Sequence, residues 1–154
     1  MTDKIVDLDQ RRPTPRAVFP PTRLFIPGIP APQGSKRHVG HGRMIESSAA
    51  VGPWRERVAL AVHQKGCPLL DGPVSLDLTF VMPRPKSTPK TRTPPAIKRP
   101  DLDKLERAIL DALTGIAFRD DAQVVELSAN KRLADPGCGP GVWISIYDLT
   151  EEPA

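Results

Sequence analysis

The sequence predicts an α+β protein built as a single domain, a mixed β-sheet with two principal helices packed on it. Three observations carry that expectation. Val74–Met82 (VSLDLTFVM) alternates apolar and polar side chains, the pattern of a strand with one buried face. Asp101–Thr114 (DLDKLERAILDALT) repeats Leu102, Leu105, Ile109, Ala112 and Leu113 at helical spacing. The length, 154 residues, suits one hydrophobic core and is too short for two ordinary domains.

The other elements follow in chain order. Met1–Pro21 carries four prolines among scattered charges and little periodicity, so it reads as a flexible tail before a domain spanning 22–150. Arg23–Pro27 is a short strand, ended by Pro27, Gly28, Pro30 and Pro32. Lys36–Met44, with Gly40 and Gly42 near its centre, suits a hairpin with a basic face. Ser47 or Ser48 can open a helix whose regular part begins at Pro53. Trp54, Val58, Ala61 and Val62 form its apolar stripe, and Gly66 and Pro68 stop it. After the alternating strand, Pro83–Pro100 is a mobile loop, because its prolines forbid a helix or a central strand. Asp101 can cap the second helix and Gly115 ends it. Ala122–Leu133 and Val142–Leu149 complete the sheet as strands, separated by a turn-rich loop at Pro136–Gly141. Trp54 and Trp143 are assigned to the core.

Composition excludes several classes. No apolar run approaches the roughly 18 residues of a membrane span, and no apolar stretch follows the start as a secretory signal would require. Cys67 and Cys138 are too few for a disulfide scaffold, which points to a reducing, cytoplasmic setting. His38 and His41 lack a third ligand nearby, and no Walker loop, GxGxxG or GxSxG occurs. The chain has 22 basic and 18 acidic residues, net +4, with a pI of about 9.3. Acids cluster at both ends (Asp3, Asp7, Asp9; Asp148, Glu151, Glu152), so the body is more basic than the total. A basic body favours a polyanion, with nucleic acid first in line, although a merely soluble basic protein has the same balance.

The chemistry-bearing pattern is a basic loop set directly before acids. Pro83–Pro100 holds Arg84, Lys86, Lys90, Arg92, Lys98 and Arg99 and no acid. Asp101-x-Asp103 follows at a helix start, where the dipole favours carboxylates, and Asp120-Asp121 lies at the entrance to the next strand. Sequence alone leaves open which end of the helix Asp121 meets. If Asp101, Asp103, Asp121 and Asp120 converge, they need a neutralising hard cation such as Mg²⁺, for which Mn²⁺ can substitute. Such an ion suits phosphodiester hydrolysis. Arg107, four residues after Asp103, lies on the same helix face and can stabilise charge on a phosphate. Lys104 and Lys131 are further candidates for phosphate contact. The bland alternative is a helix cap at Asp101, a surface Asp103–Arg107 pair and a polar turn at Asp120-Asp121.

Arg99-Pro100-Asp101-Leu102-Asp103-Lys104-Leu105, Leu110-Asp111-Ala112-Leu113-Thr114 and Asp120-Asp121-Ala122-Gln123-Val124-Val125 together resemble the RusA family of Holliday junction resolvases. Pro27-Gly28-x-Pro30 and Gly34-x-Lys36-Arg37 resemble its N-terminal part, and the likeness spans roughly Leu24–Tyr147. It implies a RusA-like fold and a homodimeric, Mg²⁺-dependent crossover junction endodeoxyribonuclease of DNA recombination and repair. Such an enzyme makes paired symmetric nicks in opposed strands of four-way DNA and acts in a bacterial host cell, often carried by a phage or prophage. Asp101, Asp103 and Asp121 match the family's acids, with Asp120 a fourth candidate, and Arg107 falls where the family has a catalytic lysine. The loop cations, with Lys36, Arg37 and Arg43, are expected to grip DNA backbones. A two-fold dimer would set two sites on related strands of a near-symmetric substrate. Lys104 stands where the family's pattern has asparagine. With Arg107, that departure supports a second reading, a weak or inactive relative that binds branched DNA.

Overall fold

In the computed structural model, which describes residues 19–34, 36–38, 44–46 and 49–151, the two short stretches as backbone alone, the elements follow the expected order. They are β1 (Thr22–Pro27), β2 (Lys36–His38), β3 (Met44–Glu46), α1 (Val51–Gln64), β4 (Val74–Met82), α2 (Leu102–Leu113), a 3-10 turn (Asp121–Gln123), β5 (Val124–Leu133) and β6 (Gly141–Asp148). The tail assigned to the first 21 residues lies outside the described residues up to residue 18. At its end the Phe19 amide donates to Asp148 Oδ2 at 3.3 Å.

A four-stranded sheet runs in the order β1-β6-β4-β5. β6 is antiparallel to β1 and β4, while β4 and β5 are parallel. Parallel neighbours need a crossover, and α2 supplies it. β2 and β3 pair separately and antiparallel, the expected hairpin. The fold is thus the mixed sheet with two helices that the sequence predicts.

The core lies between one face of the sheet and the helices. Leu76, Leu78 and Phe80 of β4 and Ile144 and Ile146 of β6 meet Val51, Trp54, Val58 and Val62 of α1 and Leu105, Ile109 and Leu113 of α2. α1 starts two residues before Pro53, which is tolerated because first-turn amides have no intrahelical acceptor. Its N-cap position is Ala50, without a side-chain cap; Ser47 and Ser48 lie outside the described residues. α2 ends where Gly115 takes a left-handed φ of 84°.

Two expectations are corrected. Trp143 is not a core residue. It alternates with buried Val142 and Ile144, so the pleat turns it to the opposite sheet face, where it is 50% exposed and lies 5.0 Å, centroid to centroid, from the Phe25 ring. The loop after β4 is not free-running either. The Arg84 guanidinium donates to Thr93 Oγ1 (2.9 Å), the Ala134 carbonyl (3.2 Å) and the carbonyls of Pro89 and Arg92. From the other side Lys131 Nζ donates to the carbonyls of Lys98 (2.8 Å) and Pro100 (2.7 Å). Proline-rich backbone has carbonyls with few amide partners, and two cationic side chains satisfy them.

Candidate active site at the start of helix α2

Asp101 occupies the N-cap position of α2 in extended backbone, but its carboxylate makes no capping hydrogen bond. Asp103 lies in the first helical turn, where the dipole favours its charge. Residues two apart on a helix do not share a face, and the two acids accordingly line different clefts. Asp103 lines a cleft of about 450 Å³ with Glu106, Arg107, Leu110 and Leu127. Asp101 lines a neighbouring groove of about 1030 Å³, and Lys104 borders both. The Lys104 carbonyl accepts from the Gln33 amide at 3.0 Å, which docks the segment after β1 against this helix start.

Asp121 is brought to the site by its neighbours. Asp120 Oδ1 accepts from the Ala122 amide at 2.9 Å, and Gln123 Oε1 accepts from the amides of Arg119 (2.9 Å) and Asp120 (3.0 Å). Gln123 Nε2 donates to the Leu70 and Gly72 carbonyls, 2.9 Å each. In D-D-x-Q, then, the first Asp caps the turn and the Gln staples it to the body. The second Asp is left to reach α2, where Arg107 Nη1 donates to Asp121 Oδ2 at 2.7 Å. The same guanidinium stands 3.9 Å from Asp111 Oδ1, and Arg55 of α1 stands 3.8 Å from Asp111 Oδ2. The sequence leaves open which end of the helix Asp121 meets; in the structure it meets neither end but Arg107, in the second turn.

Glu106 was not among the sequence candidates. It lies three residues after Asp103, the one signal that could have found it. Partial burial, and then the negative charge of Asp103, push its carboxyl above the usual range.

The acids offer only hard oxygen donors, so their chemistry suits a divalent cation. Among the described residues, however, no three His, Cys, Asp or Glu side chains are grouped closely enough to hold one. Asp121 has Arg107 as its countercharge instead. Of the remaining candidates, Lys86, Lys90, Arg92, Lys98, Arg99 and Lys104 are exposed. Arg84 and Lys131 have a task the sequence did not reveal, as anchors of the basic loop. Arg43 and the side chains of Lys36 and Arg37 lie outside the described residues. No helix among the described residues is long and apolar enough to cross a membrane.

A sheet backed by two helices, with carboxylates at a helix start beside a cation-rich loop, defines a protein suited to a phosphate-bearing polymer. Comparison with known proteins narrows this: residues 27–147 match the family model described as endodeoxyribonuclease RusA, and the chain belongs to that family of nucleases. It is also 31% identical over 140 residues to the uncharacterized protein YqaN of Bacillus subtilis (strain 168), covering 83% of this chain and 96% of that one. RusA family resolvases generally depend on a divalent metal.

Proposed function

We propose that the chain is a divalent-metal-dependent endodeoxyribonuclease that resolves four-way DNA junctions as a homodimer, making paired nicks in opposed strands, with Mg²⁺ as the natural ion. The carrying observation is the Arg107–Asp121 pair on α2, with Asp103 lining the same cleft as Arg107 and Asp101 lining the neighbouring groove that the basic loop borders. A nuclease must bring a polyanion up to carboxylates that repel it, and cations flanking the acids answer that need.

The family resemblance assigns the ion to Asp101, Asp103 and Asp121; Asp101 and Asp103 line separate clefts and Asp121 is paired with Arg107, so the three would have to draw together to hold it, with Asp120 kept largely to its cap. When bound, it would polarise the scissile phosphate and lower the pKa of a water. Arg107 stabilises negative charge developing on the phosphate. A guanidinium is no proton donor at ordinary pH, so its contribution is by charge and hydrogen bonding. Lys98, Arg99 and Lys104 hold the strand by its backbone, with Lys86, Lys90, Arg92, Lys36, Arg37 and Arg43 extending the grip. Such contacts position DNA without reading its sequence, so selection rests on junction shape.

A second reading, junction binding without cleavage, draws on the Arg107–Asp121 pair, which already satisfies an acid the ion would need. Synthetic four-way junctions incubated with Mg²⁺, with Mn²⁺ and with EDTA separate the two. The nuclease reading expects symmetric nicks with metal, no nicks in EDTA, and loss of nicking in Asp103→Asn with junction binding retained. Binding without metal-dependent nicking in the wild type selects the second reading. Equal nicking by wild type and Asp103→Asn removes Asp103 from the mechanism.

A further inference from the structure

We infer that the groove of about 1030 Å³ between the basic loop and the Ile29–Gly34 segment takes an unstacked nucleotide of branched DNA, with Ile97 as the wedge that parts it from its neighbour. The inference rests on the reading of the chain as a branched-DNA nuclease and adds a base-binding site to it.

The groove has the two-sided chemistry of a nucleotide. Met82, which is buried, and Leu133, which is partly buried, give it apolar walls. Lys98, Arg99 and Lys104 line the same groove, and all three are exposed. Cations of this kind suit the phosphate while the apolar walls suit the base. Asp101 lies on the lining too, so a nucleotide seated there is next to the start of α2.

Ile97 is 87% exposed and Ile29, also on the lining, is 66% exposed. A single exposed apolar residue on a surface is ordinary. Ile97 differs in how it is presented. Its amide donates to the Pro95 carbonyl at 3.0 Å, and the next carbonyl, that of Lys98, is held by Lys131. The backbone that carries it is thus held on both sides, and the side chain is presented to water between prolines and cations. Apolar wedges flanked by cations are a general device for opening a base step. Unstacking is least costly where a base has already lost a neighbour, as at a branch point, so such a wedge would favour branched over unbranched DNA.

The test uses the full chain in EDTA, so that no strand is cut, and a four-way junction carrying 2-aminopurine at the branch point. The wild type is expected to raise the fluorescence of that base on binding. Ile97→Ala is expected to remove most of the rise and weaken junction binding about tenfold, the scale of one aliphatic side chain left unburied. Its affinity for unbranched duplex and the salt dependence of binding should be unchanged, and Ile97→Leu should behave as wild type. Because Ile97 is exposed, truncation does not threaten the fold. A wild type that binds the junction without a fluorescence rise, or an Ile97→Ala protein that equals it in rise and affinity, overturns the inference while leaving the nuclease reading in place. Equal binding of junction and duplex by the wild type instead sinks the reading of branched DNA as substrate, and the base site with it.

Discussion

Arg107 Nη1 lies 2.7 Å from Asp121 Oδ2, a bond that ties the second turn of α2 to the entrance of β5. Both side chains are substantially solvated, so the pair adds less than about 1 kcal/mol to folding. On the proposed reading its weight falls on chemistry. Arg107→Ala is expected to melt within a few degrees of wild type while nicking a junction roughly 100-fold more slowly. Thermal melting and single-turnover cleavage measure the two, and a large fall in Tm with unchanged cleavage would reverse the assignment.

Asp120 is expected to act through its cap. Asp120→Asn keeps an oxygen for the Ala122 amide and should retain the wild-type Tm. Asp120→Ala should lose about 1 kcal/mol of stability, read by urea unfolding. Retained cleavage in the Asn variant would confine Asp120 to that structural role. Lost cleavage at full stability would make it a ligand.

Arg84 and Lys131 should control the order of the basic loop. Arg84→Ala leaves carbonyls at Pro89, Arg92 and Ala134 without their donor. Native-state trypsin digestion within 86–99 should speed up by at least roughly tenfold, the scale of even one charged hydrogen bond lost. Lys131→Ala should do the same from the other side. Digestion at the wild-type rate in both would mean that the loop is held by something else.

Glu106 gives the protein a pH signature. Its carboxyl is raised above the ordinary value of 4.5, first by partial burial and then by Asp103. The folded state therefore favours the protonated form. No penalty exists below the ordinary value; it grows as pH rises through the raised one and is complete above it. Glu106→Gln should raise the Tm at pH 7 and leave it unchanged near pH 4. The gain should stay below about 1 kcal/mol because the site is partly solvated. A larger gain in acid than at neutrality would contradict the cause assigned here.

Much of the fold was legible because it depends on local periodicity. Val74–Met82 and the stripe Leu105–Ile109–Leu113 carry their burial pattern in their own spacing, and Gly115 marks a helix end that only left-handed backbone allows. Trp143 was misplaced because alternation tells which residues share a face without saying which face a helix covers. The loop misled for a related reason. Its prolines do forbid regular structure, but its order comes from Arg84 at one end and Lys131, far along the chain, at the other.

Element order, the single core and the set of charged residues from which a site could be made are all readable from residue order. The same order also carries the motif that joins the chain to its family. Tertiary structure alone decided that Asp121 meets Arg107, that Asp101 and Asp103 open into separate clefts, and that Gln123 staples the turn between them and the sheet. Periodicity is a short-range property, set by the geometry of successive residues. Contacts between a helix and the next strand depend on how the crossover packs, and that is fixed only when the whole core closes.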